Sequence, residues 1–274
     1  MRILITNDDG IYATGLRVLA ATLSTSDEVT VVASHDERST SGHAITRHKP
    51  LRVNPTVIAE ASNVNAWITT GTPADNAKLG VELLLTQRPD LLLSGINRGS
   101  NLGRDVYYSG TVSAAMEGMF LGVPSIALSL DVGDSGSPRD FLWCAQFVRW
   151  WIHSPDFVLP RPDIFYNVNF PRWIENSPQS LLVVGLGRRE YENRFIRRQD
   201  PQGREYLWFI GRPKSFALDT STDVGALDAG YITLTPIQMD VTAHDAMDSL
   251  SDVPVPNQLA HPNTDEYCEP PIPS

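Results

Sequence analysis

The chain has 274 residues, of which 42% are hydrophobic and 20% are charged, as is typical of a globular protein with a substantial core. Its formal net charge is -10 and its pI is about 5.0. This argues against duplex nucleic acid or an anionic membrane as the main partner, because both require a basic surface. Its two cysteines exclude a disulfide framework.

The first residues lead into an apolar segment without the pattern of a signal peptide. No apolar run approaches the roughly 20 residues that a membrane-spanning helix needs. We therefore expect a cytoplasmic protein, with neither a membrane nor a nucleic-acid duplex as its partner.

The first half of the sequence alternates apolar segments with helical patterns. Strands are predicted at residues 3–6, 29–33, 91–94 and 126–130, and helices at residues 16–23, 76–85 and 112–121. Apolar strands that alternate with helices predict an α/β fold, with a parallel sheet covered on both faces. Ligands of such sheets bind beyond the carboxyl ends of the strands, so the polar loops that follow strands should converge there.

The pattern changes after residue 130. A helix is predicted at residues 141–152, strands at 164–170 and 181–184, and a hairpin within 188–211 whose turn lies at 200–203. The hairpin arms carry more apolar side chains than a lone hairpin can bury, which indicates a partner subunit. We predict a catalytic core at residues 1–130, a C-terminal part at 131–244 that completes the sheet and carries this oligomerisation hairpin, and a loose tail at 245–274.

Two adjacent carboxylates, Asp8 and Asp9, follow the first predicted strand. Asp9-Gly10 is also a common turn dipeptide, so an ordinary turn is an equally simple interpretation. The position favours a ligand site, because neighbouring buried acids require a compensating cation. Oxygen ligands at this edge suit Mg²⁺ or Mn²⁺.

The strongest local pattern is the segment 94–105, in which glycines recur at every fourth position. Glycine and asparagine accept positive φ, so this segment can turn tightly and direct amides inward. Ser109, Gly110 and Thr111 then open a helix, and a helix N-terminus is an anion site. The alternative is a structural glycine-rich loop around a helix cap. The segment has neither the dinucleotide-binding fingerprint nor a Walker A motif.

Two further loops are less specific. Residues 37–43 follow the second strand and could be an ordinary polar loop, although a hydroxyl there could complete a metal site and Arg38 or His43 could meet a phosphate. Residues 71–75 precede a helix, and proline in a first helical turn is common for structural reasons alone.

Taken together, these segments resemble the SurE family of 5'-nucleotidases, also called survival protein E. The matching segments are residues 3–10, 38–39, 71–75, 94–101, 108–118, 167–171 and 230–236. They occur in the family's order and spacing from Met1 to about Thr242. Asn76 stands where the family often has cysteine, and the loop at residues 40–43 is variable in the family.

The resemblance implies a Rossmann-like, three-layer α/β sandwich with a protruding hairpin and arms exchanged between subunits, in a homodimer or homotetramer. It implies a phosphatase that acts on nucleoside 5'- and 3'-monophosphates, with trimming of short polyphosphate in some members. It also implies one divalent cation per subunit, Mg²⁺ or Mn²⁺, held by Asp8, Asp9, Ser39 and Asn97.

We therefore assign catalysis to Asp8, Asp9 and Asn97, and phosphate binding to Asn97, Ser109, Gly110 and Thr111. Water or an aspartate could attack phosphorus, and the sequence leaves both routes open. A nucleotide-binding or stress-sensing module without catalysis is a second interpretation. A dinucleotide-dependent oxidoreductase is a third, although its glycine fingerprint is absent.

Overall fold

The computed structural model describes residues 1–38, 42–133, 137–172, 180–213 and 219–250. Its strands are β1 (Arg2–Thr6), β2 (Glu28–Ser34), β3 (Val53–Thr56), β4 (Asn65–Thr69), β5 (Leu91–Arg98), β6 (Ser125–Leu130), β7 (Ile164–Phe170), β8 (Leu181–Val183), β9 (Tyr191–Gln199), β10 (Glu205–Pro213) and β11 (Ile232–Gln238). Its helices are α1 (Thr14–Leu23), α2 (Pro73–Leu79), α3 (Gly110–Phe120), α4 (Pro138–Ile152), α5 (Asp223–Asp228) and α6 (His244–Leu250).

The centre of the molecule is a nine-stranded sheet in the order β3-β4-β2-β1-β5-β6-β7-β11-β8. Strands β4, β2, β1, β5, β6 and β7 run parallel. Strand β3 is antiparallel to β4, β11 is antiparallel to β7, and β8 is parallel to β11. This arrangement confirms the predicted α/β fold with a mostly parallel sheet.

Helices cover both faces of the sheet, because alternate residues of the buried strands pack in opposite directions. Ile3 and Ile5 of β1 belong to a core cluster with residues of α1 and α4. Leu4, between them, packs with residues of α2 and α3. The three layers therefore leave the ends of the parallel strands as the place where loops converge.

Strand β5 is longer than predicted. The sequence indicated that the strand ends at Ser94 and that a glycine-rich loop follows, yet Asn97 and Arg98 pair with Ser129 and Leu130 of β6 beyond an irregularity in the register. Gly95 makes this possible, since its φ is +141° and a Cβ there would overlap the Leu128 carbonyl oxygen. The strand thus carries Asn97 directly to the edge of the sheet.

Other elements differ less. The helix predicted at 76–85 is α2 followed by a π-helical turn at Gly80–Leu84, and a 3-10 helix spans Gly103–Tyr107. Sequence patterns did not indicate β3, whose polar residues and Pro55 suit an edge strand. The predicted hairpin is confirmed as β9 and β10, which pair antiparallel from Tyr191 with Pro213 to Gln199 with Glu205.

The chain divides into two compact units, Met1–Met239 and Asp240–Ser274. The second unit contains α6, and residues 251–274 of the predicted loose tail lie outside the described residues. The boundary proposed at residue 130 stays a prediction. No helix in the described ranges is long and apolar enough to cross a bilayer.

At Gly15, α1 packs tightly against β5, because an added Cβ would overlap the Ile96 carbonyl oxygen. We expect Gly15→Ala to displace α1 and to lower the free energy of unfolding by about 1–3 kcal/mol, as overpacking does. Urea unfolding monitored by circular dichroism measures this change. Gly185→Ala is the matched control, since nothing lies within 4 Å of its added Cβ. Equal stability of the two variants would contradict the close packing of α1.

Candidate active site

The site begins at the carboxyl end of β1, where Asn7, Asp8 and Asp9 form a turn. The Asn7 side-chain amide donates a hydrogen bond to the Gly10 carbonyl over 2.9 Å, and Gly10 has φ +96°. Asp9-Gly10 therefore does form the turn that the sequence indicated. The turn nevertheless leaves Asp8 only 4% exposed, which a merely structural turn does not require.

The start of α3 holds the Asp8 carboxylate. The Thr111 hydroxyl donates to Asp8 Oδ1, and the Thr111 backbone N–H also hydrogen-bonds this carboxylate. Gly110 permits the approach, since a Cβ there would lie 2.8 Å from Asp8 Cβ and 2.9 Å from Asp8 Oδ2. The positive end of the helix dipole thus faces a buried acid.

Asp9 and Asn97 meet through the end of β5. The Arg98 backbone N–H donates to Asp9 Oδ2 over 3.0 Å, which joins the acid to the residue next to Asn97. The Asn97 side-chain amide donates to the Gly99 carbonyl over 2.8 Å, so its nitrogen is engaged and its oxygen is the end suited to a ligand. Asp8 and Asn97 line the same cavity. The structure therefore brings Asp8, Asp9 and Asn97 together as the sequence predicted.

Burial dominates the electrostatics of the two acids. It raises the pKa of Asp9 from its ordinary 3.8 to about 6, and the neighbouring charge of Asp8 adds to the rise. Burial also raises the pKa of Asp8, although the hydrogen bonds from Thr111 oppose this. Two neighbouring carboxyl groups whose pKa values are both raised mark a place where a positive charge would be strongly favoured.

The predicted phosphate-binding residues have unequal roles. The Ser109 hydroxyl caps α3 by accepting the Val112 N–H over 3.1 Å, and the Ser109 N–H donates to the Asp105 carbonyl over 3.0 Å. Thr111 contacts Asp8 through both its hydroxyl and its amide. Gly110 carries the first amide of the helix. The structural role of this segment as a cap therefore coexists with its position at the cavity.

The remaining predicted loops lie nearby. Ser39 lies outside the described residues, and the backbone N–H of Arg38 donates to the Asp8 carbonyl over 2.7 Å. His43 hydrogen-bonds Glu117 over 2.8 Å. Thr72 and Asp75 form a capping box that starts α2, so the structural interpretation of residues 71–75 is confirmed.

Buried asparagines hold the glycine-rich segment in place. The Asn101 N–H donates to Asn169 Oδ1 and its side-chain amide donates to the Ser129 hydroxyl, each over 2.8 Å. The Asn167 side-chain amide donates to the Asn101 carbonyl over 2.8 Å. Strands β6 and β7 thereby fix the segment that follows Asn97.

A cavity of about 980 Å³ opens beside the acids. Besides Asp8, Asn97 and Ser109, it is lined by residues to which the sequence analysis assigned no role, among them Arg104, Asp105, Tyr108, Arg189, Tyr191 and Phe209. Three of these belong to the hairpin or the residues just before it, which the sequence patterns associated only with oligomerisation. The paired arginines at 188–189, next to an extended arm, were the signal that could have indicated a second role.

No group of three or more His, Cys, Asp or Glu side chains in the described part of the chain is arranged to hold a metal ion. The predicted ligand set does not require such a group, since it combines two acids with an asparagine and a serine. Cys144, in α4, is a buried free thiol, and Cys268 lies outside the described residues.

The covered parallel sheet, with an acidic site at its carboxyl edge beside a helix N-terminus, defines an α/β protein of the class whose ligand sites lie at that edge. The chain belongs to the Survival protein SurE family, whose family model matches residues 3–193.

Relatives match nearly the whole chain. A 5'-nucleotidase SurE of Pelotomaculum thermopropionicum is 46% identical over 253 residues, which cover 91% of this chain and 94% of that protein. A 5'-nucleotidase SurE of Gloeobacter violaceus is 46% identical over 244 residues, which cover 88% and 91%. The crystal structure of a SurE protein from Aquifex aeolicus is 33% identical with a TM-score of 0.76, covering 92% of this chain and 98% of that one.

The raised pKa of Asp9 has a consequence for the stability of the protein without divalent cations. An acid whose pKa is higher in the folded chain stabilises the fold below its ordinary pKa of 3.8, and this contribution is lost as the pH rises through about 6. Asp9→Asn stays neutral, and its amide oxygen can still accept the Arg98 N–H. We expect the variant to be more stable than the wild type at pH 8, by about 1 kcal/mol, and equally stable near pH 4.

Urea unfolding in the presence of a chelator measures both values. A variant less stable than the wild type at pH 8 would show that the Asp9 charge is compensated within the chain itself.

Proposed function

We propose that this chain is a 5'-nucleotidase, a phosphoric monoester hydrolase that cleaves nucleoside 5'-monophosphates, and also 3'-monophosphates, to nucleoside and phosphate. The names of the relatives support the 5'-nucleotidase activity. The observation that carries the proposal is the pair of adjacent acids. Asp8 is buried against the start of α3 and lines a cavity of about 980 Å³, and Asp9 is held by the end of β5. That volume is within the range of sites for drug-sized ligands.

We further propose that Asp8, Asp9, Ser39 and Asn97 hold one divalent cation, Mg²⁺ or Mn²⁺. The donor set suits such an ion, because it consists of hard oxygen atoms and carries two negative charges. The Asn7 side-chain oxygen beside it is buried and lacks a hydrogen-bond partner among the described residues, so the turn has a further acceptor to offer. A cation held there would act as a Lewis acid that polarises a phosphoryl oxygen.

The chain's own residues would orient the substrate. Because Asp8 and Ser109 already occupy the Thr111 and Val112 amides, the Gly110 N–H is the amide of this turn that we assign to phosphate. Arg98 and Arg104 line the same cavity and supply positive charge toward the phosphate. Thr111 acts through Asp8, whose position it fixes. We favour water over an aspartate as the nucleophile, because both acids are assigned to the cation.

The activity is tested by phosphate release from AMP and GMP with Mn²⁺ or Mg²⁺. We expect release that EDTA abolishes, and a loss of at least about 100-fold in kcat for Asp8→Asn and Asn97→Ala, since each removes a group at the reacting phosphate. Asp90→Asn is the matched control, because Asp90 precedes β5 at the opposite end and binds Arg2. Wild-type turnover in Asn97→Ala would contradict the assignment.

The same assay separates the rival functions. Nucleotide binding without phosphate release would favour a sensing module, and NAD binding would favour an oxidoreductase. We also propose, as the resemblance implies, a side activity that trims short polyphosphate, and release of phosphate from short polyphosphate tests it.

The cation can be tested without turnover. Ligands that bind only the folded state raise its stability, so we expect Mn²⁺ to raise the Tm of the wild type. We expect little or no rise for Asp9→Asn, which removes one charged ligand, and a normal rise for Asp90→Asn. A full Mn²⁺ shift in Asp9→Asn would place the cation elsewhere.

We also propose a cytoplasmic homodimer or homotetramer built through the hairpin. Phe195, Leu207 and Trp208 are more than half exposed in the single chain, although such side chains are costly to leave in water. We expect Trp208→Ser to lower the mass measured by light scattering after size exclusion. Arg197→Gln, at an exposed ion pair of the same hairpin, is the control. An unchanged mass in Trp208→Ser would exclude this residue from the subunit contact.

A further inference from the structure

One carboxylate joins the root of the hairpin to the 3-10 helix. Asp105 Oδ2 accepts a hydrogen bond from the Tyr191 hydroxyl over 2.7 Å and forms an ion pair with Arg189 Nη1 at 2.9 Å. Arg189 also donates to the Ser100 hydroxyl over 3.3 Å, and its guanidinium lies 5.8 Å from the centre of the Tyr191 ring. The Arg189 and Asp105 side chains are each 20% exposed.

The surroundings strengthen this contact. Charge-assisted hydrogen bonds are shorter and stronger than neutral ones, and partial burial reduces their screening by water. Burial and the bond to Asp105 raise the pKa of Tyr191 to about 12, so its hydroxyl remains protonated, and a donor, well above neutral pH. The three side chains therefore form one unit, which we call the Asp105 clasp.

The backbone of Asp105 connects the clasp to the phosphate end of the cavity. The Asp105 carbonyl accepts the N–H groups of Tyr108 and Ser109, each over 3.0 Å, and Ser109 caps α3. The side chain of the same residue holds Arg189 and Tyr191, and all of these residues line the cavity. Phe209 and Gly211 of β10 line it as well.

The clasp is not the only link between these segments. Asp223, at the start of α5, accepts the N–H of Gly103 over 2.8 Å and that of Gly187 over 2.7 Å. The backbones of the 3-10 helix and of the segment before the hairpin thus stay joined without Asp105. A change of the Asp105 side chain is therefore expected to free Arg189 and Tyr191 without unfolding the protein.

We propose that Asp105 is a positioning residue that holds the hairpin root as the wall of the cavity against which the nucleoside of the substrate binds. The proposal rests on the nucleotidase function proposed above. The acids, Asn97 and the start of α3 serve the phosphate, whereas the wall presents an aromatic ring and a planar guanidinium, which are suited to stacking on a base. The clasp would thereby favour nucleotides over phosphate esters that lack a base.

Asp105→Asn tests this directly, because it keeps the size of the side chain and the backbone contacts but removes the charge. We expect KM for AMP to rise about tenfold, the effect of losing one charge-assisted hydrogen bond, while kcat changes less than about threefold. Adenosine and inorganic phosphate, used as inhibitors of AMP hydrolysis, separate the two halves of the substrate. Adenosine inhibition should weaken about as much as KM, and phosphate inhibition much less.

Matched variants sharpen the result. Tyr191→Phe should raise KM by a smaller factor, and the double variant should resemble Asp105→Asn alone, because both changes break the same contact. Asp105→Glu should restore part of the loss, and Arg197→Gln should behave as the wild type. A fall in kcat with unchanged KM, equal weakening of adenosine and phosphate, or no inhibition of the wild type by adenosine would overturn the proposal.

Amide hydrogen exchange of residues 189–193 keeps the clasp testable apart from the enzyme activity. Exchange there should be faster in Asp105→Asn than in the wild type and in Arg197→Gln, and unchanged exchange would refute the clasp. Absence of phosphate release by the wild type would instead refute the nucleotidase function, and with it the role of the clasp toward the nucleoside.

Discussion

The site depends on the hydrogen bonds between the start of α3 and the carboxylate of Asp8. Burying an acid beside a second acid is unfavourable, and the raised pKa of both groups shows that the protein only partly compensates this cost. The hydroxyl and amide of Thr111 supply part of the compensation. The uncompensated remainder is the reason why we propose a cation there. A fold that neutralised both acids internally would have no reason to bind one.

The parallel sheet places the other components around this contact. Asp9 binds the backbone next to Asn97, so β1 and β5 present their polar residues to the same cavity. Buried asparagines of β7 and a serine of β6 hold Asn101. Positions that contact no substrate in our proposal therefore still hold the segment that follows Asn97.

The sequence predicted the sheet apart from β3, β4 and β11, most of the helices, and the meeting of Asp8, Asp9 and Asn97. Apolar strands and the loops after them obey general rules of α/β proteins. The sequence did not predict the continuation of β5 to Arg98, which depends on Gly95 passing close to Leu128. It also did not predict the part of the cavity formed by Asp105, Arg189 and Tyr191. Asp105 is 86 positions from Tyr191 in the sequence, and only tertiary packing brings it to Arg189 and Tyr191.

Gly110 carries a consequence for how this protein can vary. The helix and the acid approach so closely there that any β-carbon would contact Asp8 and Pro73 at 3.0 Å or less. A side chain at this position would push the helix away from the acid. We therefore expect substrate specificity to change through other residues around the cavity, including those of the hairpin, while residue 110 stays glycine.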